Sequence, residues 1–394
     1  MENQPLINIG CLGSVSDGKS TLIEKLTGTK TQRHSSEKIR NITIKQGYGN
    51  MKIWKYNNKF YTSSSSATKD SIKSLYSSDV ADTDVELINH ISFVDCPGHH
   101  ELTHTMLSSI NLMNGAIVVI AVDKPINKKP QLIQHLIAAK MGKINKFIIC
   151  MNKIDLISKN LLYIRKKELD ELLLSLNINA FVIIPTCFNK QIGLDYIVTA
   201  MVQLFTIEHV SNNTEPLFKI SRTFDINKPG TPFYNVKGGI LGGTLSQGKL
   251  HVNDEIIIQP NNYKTKIIEI RTEDKILSEA APGGLIALQT DLDPYYCKND
   301  NLRGNICGIE LPNTTTTVMI SDITFCDKHN ILKLNEKIKV QLYTNIYSGK
   351  IIQLNPLHIT FDTNVCFFNN ENIILCDTVN ELLKIIGNGF IISI

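Results

Sequence analysis

The sequence predicts an α/β domain followed by two small β-barrels. Apolar strands, polar turns and helix-like stretches alternate across residues 5–205, which is typical of a doubly wound parallel sheet. After a polar segment the helices give way to short apolar runs separated by Gly and Asn turns, and a second break at 311–317 leads to further strand-like runs. We therefore expect domains at 1–208, 217–312 and 313–394, with a linker at 209–216.

The composition is that of a soluble protein with two or three domains. The 394 residues exceed one ordinary core, and a formal charge of +4 gives no global field for nucleic acid, so any RNA contact must be local. No apolar run approaches a membrane span, and the N-terminus lacks a signal-peptide pattern. The nine cysteines are scattered without a Cys-x-x-Cys pair, which argues against a zinc site or a disulfide framework. We expect a cytoplasmic protein with reduced thiols and no membrane partner.

The first motif is Gly13-Ser14-Val15-Ser16-Asp17-Gly18-Lys19-Ser20, which follows an apolar strand and precedes a helix-like stretch. Two glycines with four residues between them, followed by Lys-Ser, fit a phosphate loop whose backbone N–H groups cradle phosphate oxygens. Lys19 would reach the β- and γ-phosphates, and the Ser20 hydroxyl would ligate Mg²⁺. The nucleotide-binding residues expected from this motif are Ser16, Asp17, Gly18, Lys19, Ser20 and Thr21.

Two further segments predict the γ-phosphate end of the site. In Arg40–Lys45, the Thr43 hydroxyl can complete Mg²⁺ coordination, although a plain edge strand explains the same residues. In Ile91–His99, an apolar strand delivers Asp95, which can hold Mg²⁺ through water, and Gly98 lets the backbone approach the γ-phosphate. His99 follows directly, where a side chain can orient the attacking water.

Two later strands end in turns that predict recognition of the base. Asn152-Lys153-Ile154-Asp155 follows the apolar run at 147–151. Its Asp155 can accept hydrogen bonds from the N1 and exocyclic amine of guanine, its Asn152 can meet the purine edge, and Lys153 can lie along the base. Thr186-Cys187-Phe188 follows another strand and can close over the base. Because ligands bind at the carboxyl ends of parallel strands, these segments together predict a GTP-binding switch.

With these residues in view, the chain resembles the translational GTPases, and most closely the gamma subunits of eukaryotic and archaeal translation initiation factor 2. The resemblance covers almost the whole chain and implies an α/β P-loop GTPase domain followed by two β-barrel domains. The segments that carry it are Arg40–Tyr48, Ser92–His99, Asn152–Asp155, Phe224–Gly230, Lys237–Gly243, Gly283–Ile286 and Ile385–Gly387.

The resemblance implies a GTPase that uses GTP/GDP and Mg²⁺ and is stimulated by partners. Those partners are alpha and beta subunits of the same factor, GTPase-activating and nucleotide-exchange factors, methionyl initiator tRNA and the small ribosomal subunit. By position, His99 and Thr43 correspond to the catalytic residues, and Val15 and Ile42 resemble an apolar gate beside that histidine. Tyr48 lies where the family contacts the tRNA acceptor end, and its ring can stack on the terminal adenine.

The chain also departs from the family pattern. Relatives often carry a cysteine-rich zinc knuckle after the switch segment, whereas Trp54–Asp70 has no cysteine and a run of four serines. We expect that insert to be flexible and free of zinc. Asp17 adds negative charge beside the phosphates, which either weakens nucleotide affinity or is offset by a nearby lysine. Thr186-Cys187 stands in place of the usual Ser-Ala.

Two other functions are consistent with parts of the sequence. An elongation-type carrier of aminoacyl-tRNA, selenocysteine-specific or general, shares the GTPase motifs, but the Asn41–Tyr48 segment disfavours it. A regulatory or scaffolding GTP-binding protein would use the barrels for protein contacts alone. Retention of Lys19, Thr43, Asp95 and His99 disfavours a pure scaffold, since a scaffold does not need a residue that positions water.

Overall fold

The computed structural model describes residues 2–30, 47–76, 85–97, 103–206, 214–273, 275–327, 332–379 and 382–394. The predicted site residues that lie outside these ranges are Ile42, Thr43, Gly98 and His99. Most of the predicted linker at 209–216 also lies outside them. The chain divides into two compact units, one of Met1–Ser109 with Met113–Glu208 and one of Ile110–Leu112 with His209–Ile394. The three-domain boundaries expected from the sequence stay a prediction.

The first unit is built on a seven-stranded sheet with the order β3-β2-β4-β1-β5-β6-β7. Its strands are β1 Ile7–Leu12, β2 Gly47–Tyr56, β3 Lys59–Ser64, β4 Glu86–Asp95, β5 Gly115–Ala121, β6 Phe147–Asn152 and β7 Val182–Pro185. The helices before the barrels are α1 Lys19–Thr27, α2 Lys69–Tyr76, α3 Thr103–Ile110, α4 Pro130–Met141, α5 Lys159–Ser175 and α6 Leu194–Leu204.

The parallel strands β4, β1, β5, β6 and β7 bring the motifs to one edge of the sheet. The strands β1, β5 and β6 are buried along their whole length, as expected for strands covered on both faces. The register pairs Cys11 with Asp95 and Ala121 with Asn152. The turns after these strands therefore share the carboxyl edge, where such sheets bind ligands.

The expectation of a flexible insert at Trp54–Asp70 was wrong. Strand β2 continues to Tyr56 and pairs with β3 as an antiparallel hairpin, and α2 begins at Lys69. The Trp54 side chain is 1% exposed and clusters with Ile72 and Val85. Burying one tryptophan supplies a large apolar area, which offsets the cost of ordering a polar loop.

The polar residues of the insert are also held in place. The Trp54 indole N–H donates to Ser63 Oγ at 2.8 Å, and Ser65 Oγ lies 2.7 Å from His90 Nε2. Lys52 is fully buried and its Nζ donates to the Ala67 carbonyl at 2.7 Å. The serine run therefore supplies hydrogen-bond partners for buried side chains.

The second unit contains two β-barrels. Strand β11 pairs with both β12 and β16, so β11, β16, β8, β9, β15 and β12 form a ring. The strands of this region are β8 Leu217–Phe224, β9 Ile240–Gln247, β10 Leu250–His251, β11 Glu255–Gln259, β12 Tyr263–Thr272, β13 Lys275–Leu277, β14 Glu279–Ala280, β15 Gly283–Thr290 and β16 Ile306–Gly308.

The remaining strands form a closed barrel with the order β17-β20-β19-β18-β21-β22. They are β17 Thr315–Phe325, β18 Lys337–Leu342, β19 Asn345–Leu354, β20 Leu357–Val365, β21 Glu371–Val379 and β22 Leu382–Ser393. Each barrel has its own apolar core, with Phe218 and Leu288 in the first and Val340 and Ile359 in the second. The predicted fold class, an α/β domain followed by β-barrels, is confirmed. None of the helices in the described ranges is both long and apolar enough to cross a membrane.

Candidate nucleotide-binding site

The loop between β1 and α1 has the backbone that a phosphate cradle needs. Gly13 and Gly18 adopt φ values of 142° and 107°, a region that favours glycine. A Cβ at Gly13 would lie 2.2 Å from the Val119 carbonyl oxygen, and one at Gly18 would lie 2.5 Å from Asn152 Nδ2. Helix α1 begins at Lys19, so its free N–H groups face the loop. Both glycines are therefore required for the loop to pack against β5 and β6.

Lys19 is the first residue of α1, and its side chain lies over this loop. Its Nζ donates to the carbonyls of Gly13 at 2.9 Å and Ser14 at 2.7 Å, and the residue is 6% exposed. The ammonium is thus held over the loop by backbone oxygens. A buried positive charge at a helix N-terminus attracts phosphate strongly, because little water screens it.

The two predicted magnesium ligands in the described chain meet at the carboxyl edge. Ser20 Oγ donates to Asp95 Oδ2 at 2.6 Å, and Asp95 is fully buried at the end of β4. Hydroxyl and carboxylate oxygens are the donors that Mg²⁺ prefers, so these residues fit the ion. Bound there, Mg²⁺ would neutralise phosphate charge. Among the described residues, no group of three or more His, Cys, Asp or Glu side chains could hold a metal by itself.

The turn after β6 presents Asp155. Lys153 adopts a left-handed φ of 66°, which bends the chain directly after the strand. The Cys187 thiol donates to the Asp155 carboxylate, and Lys190 Nζ lies 3.2 Å from Asp155 Oδ2. The hydrogen bond from the Cys187 thiol is the largest cause that holds the pKa of Asp155 below its ordinary value, and Lys190 is a smaller one. The carboxylate is therefore charged at neutral pH and can accept hydrogen bonds from a base.

Asn152 links the phosphate loop to the loop after β7. Its Nδ2 donates to the Asp17 carbonyl at 2.9 Å, and its Oδ1 accepts the Phe188 N–H at 3.2 Å. Both contacts are buried. The Asn152 side-chain amide therefore connects the phosphate loop with the loop after β7. Its contact with the purine edge stays a prediction.

Comparison with known proteins agrees with the nucleotide-binding geometry of this site. Residues 4–212 match the family model of the elongation factor Tu GTP binding domain. A translation initiation factor 2 subunit gamma from Sulfurisphaera tokodaii is 33% identical over 89% of this chain and 85% of its own length. The chain belongs to the gamma-subunit family of translation initiation factor 2. The eukaryotic gamma subunit from Encephalitozoon cuniculi is 32% identical over 99% of this chain and 93% of its own length.

The family resemblance inferred from the sequence is thus confirmed, and the chain is a translational GTPase. A bacterial selenocysteine-specific elongation factor has the same fold, with a TM-score of 0.77 at 21% identity over 98% of this chain. The chain spans 58% of the length of that factor. The likeness at this identity shows a common architecture of GTPase domain and barrels.

Two residues of this chain that the sequence analysis missed contact the phosphate loop. Lys129, just before α4, places its Nζ 2.6 Å from Asp17 Oδ1. His135, on α4, accepts the Gly13 N–H at Nδ1 over 3.1 Å. Burial and then the charge of Lys19 lower the pKa of His135 to about 3, so the ring is neutral and can accept. No sequence motif identifies either residue, because each contacts a loop residue more than 100 positions away in the sequence.

The structure places the other predicted residues as follows. Val15 and Thr21 are half-buried, Ser16 is exposed on the loop, and Tyr48 is half-buried on β2 opposite Val94. The replacement of the usual Ser-Ala leaves Thr186 fully buried, and within the described ranges its Oγ1 has no hydrogen-bond partner. The hydrolytic role of His99 and Thr43 and the gate of Val15 and Ile42 stay predictions.

Proposed function

We propose that this chain is the GTP-binding core subunit of a translation initiation factor that delivers methionyl initiator tRNA to the small ribosomal subunit. GTP hydrolysis then releases the tRNA. The observation that carries the proposal is the match to gamma subunits over nearly the whole chain, joined to a buried phosphate loop and a base-recognition turn on one sheet edge. The protein would act in the cytoplasm.

The geometry of the described residues supports the proposed nucleotide roles. The loop from Ser16 to Thr21 would hold the phosphates with its backbone N–H groups, and Lys19 would supply positive charge. Ser20 and Asp95 would hold Mg²⁺, the latter through water. Asp155 would select guanine, since its charged carboxylate accepts where adenine offers no matching donors.

The remaining roles rest on position in the sequence. His99 would orient the attacking water, Thr43 would complete the magnesium shell, and Val15 and Ile42 would flank the histidine. Tyr48 would stack on the terminal adenine of the tRNA. Alpha and beta subunits would complete a heterotrimer, and GTPase-activating and nucleotide-exchange factors would time hydrolysis and GDP release.

The test is GTP-dependent binding of labelled methionyl initiator tRNA. The purified chain, alone and with alpha and beta subunits added, is loaded with GTP or GDP and titrated against the labelled tRNA. Elongator methionyl-tRNA and uncharged initiator tRNA are the controls. We expect selective binding in the GTP state. Equal binding of both aminoacyl-tRNAs favours an elongation-type carrier, and nucleotide binding without tRNA binding in the full trimer favours a scaffold.

A further inference from the structure

A buried ion pair ties the phosphate loop to the segment that precedes α4. Lys129 Nζ lies 2.6 Å from Asp17 Oδ1, and the two side chains are 9% and 2% exposed. The other carboxylate oxygen, Oδ2, accepts the backbone N–H of Ser14 at 2.9 Å. The carboxylate thus fixes the first turn of the loop, and the lysine fixes the carboxylate.

The pair has an electrostatic consequence for a phosphate ligand. A carboxylate within a phosphate-binding loop repels a nucleotide di- or triphosphate, and burial strengthens that repulsion because water does not screen it. Lys19 donates to the carbonyls of Gly13 and Ser14, whereas Lys129 is the cation that the structure places directly on Asp17. The ammonium of Lys129 therefore cancels a charge that would otherwise oppose binding.

We propose that Lys129 is a positioning residue for the nucleotide phosphates, which neutralises Asp17 and thereby sets how long the nucleotide stays bound. The proposal rests on the proposed GTP-binding function and adds a residue that acts through the phosphate loop. His135 supports the same loop from the next turns of α4, since its neutral ring accepts the Gly13 N–H. Residues 129–135 thus hold the loop at two points, by charge and by hydrogen bond.

If Lys129 acts by neutralising Asp17, substitutions of the two residues affect nucleotide binding differently from substitutions of a pair that only packs. Lys129→Met leaves an unpaired carboxylate near the phosphates, so nucleotide binding weakens. Asp17→Asn leaves an unpaired ammonium there, which attracts phosphate, so binding weakens less than in Lys129→Met. The double variant removes both charges and recovers binding relative to Lys129→Met. A role in packing alone would weaken binding in both single variants alike and would not be rescued.

The experiment measures dissociation of a fluorescent GDP analogue by stopped flow, and affinities for GDP and GTP by titration. The proteins are wild type, Lys129→Met, Asp17→Asn, the double variant, the charge-conserving Lys129→Arg, and the exposed neighbour Lys128→Met as matched control. We expect dissociation about tenfold faster or more in Lys129→Met, with a larger affinity loss for GTP than for GDP. Lys128→Met should stay within about threefold of wild type, and the double variant should release GDP several-fold more slowly than Lys129→Met.

Several results would overturn the proposal. Wild-type dissociation in Lys129→Met contradicts it, as does equal weakening in Asp17→Asn without recovery in the double variant. If Lys129→Met does not fold, Asp17→Asn is compared with the double variant, which differs only at residue 129. Weaker GDP binding in Asp17→Asn than in the double variant then overturns it. Wild-type protein that binds no guanine nucleotide overturns the proposed function itself, which is a distinct outcome.

Discussion

Replacing Asn152 by Ala removes the amide that joins the two halves of the nucleotide site. The change deletes the donor to the Asp17 carbonyl and the acceptor of the Phe188 N–H, at 2.9 and 3.2 Å. Both backbone groups are buried, so each is left without its side-chain partner in a place that water reaches poorly. We expect the phosphate loop and the loop after β7 to lose their fixed spacing.

The size of the effect follows from those two groups. Each buried backbone group left unpaired costs about 1–3 kcal/mol, which gives roughly 2–6 kcal/mol for the pair. Because the bridge joins two segments of the folded chain, part of this cost lowers the free energy of unfolding. The rest appears as weaker binding, and every 1.4 kcal/mol is about a tenfold change in affinity. We expect GDP dissociation at least about tenfold faster.

The assay combines urea unfolding of the nucleotide-free protein with stopped-flow release of fluorescent GDP. Asn189→Ala is the matched control, because Asn189 is exposed on the same loop as Phe188. The control should change neither quantity. If Asn152→Ala releases GDP at the wild-type rate, the bridge does not support the site and the argument from its hydrogen bonds is wrong.

Four further changes test other parts of the molecule. Asp155→Asn should reduce the preference for GTP over ATP, since one acceptor for the guanine donors is lost; titration with both nucleotides measures this, and unchanged discrimination refutes the assignment. Ser20→Ala should shrink the difference in GDP affinity between excess Mg²⁺ and EDTA, because a ligand of the ion is gone; a wild-type difference would place the ion elsewhere. His99→Ala should leave GTP binding nearly intact and slow partner-stimulated hydrolysis by a factor on the order of 10²–10⁴, and full hydrolysis would move the catalytic role to another residue. Trp54→Ala should lower the free energy of unfolding by about 3–5 kcal/mol and speed hydrogen exchange in α2, since it empties the cluster with Ile72 and Val85; an unchanged urea midpoint would contradict that packing.

The sequence predicted the position in the fold of two motifs that directly follow a strand. Gly13 to Ser20 and Asn152 to Asp155 are short, and each stands at the end of an apolar run whose length and burial make it a strand. The doubly wound topology then places both at one edge of the sheet. These steps need local spacing and one rule of topology, which is why they succeeded.

The insert after β2 shows where composition misleads. Four consecutive serines indicate a flexible loop, yet Trp54 buries its ring against α2 and Val85, and the serines bond buried partners. The decisive contact is between the tryptophan and Ile72, eighteen positions along the chain. The amino-acid composition is an average over the whole segment. It therefore does not predict the burial of one large side chain such as Trp54.

The sequence by itself determined the family, the α/β domain with its β-barrels, and the glycine-rich loop between β1 and α1, while base recognition by the turn after β6 stays a prediction. Tertiary structure alone decided how the loop is held: Lys129 on Asp17, His135 on Gly13, and Asn152 between two loops. The physical reason is distance along the chain. Motifs are fixed by neighbours a few residues apart, whereas these contacts join groups 112 to 135 residues apart, and strand order and helix packing bring them together.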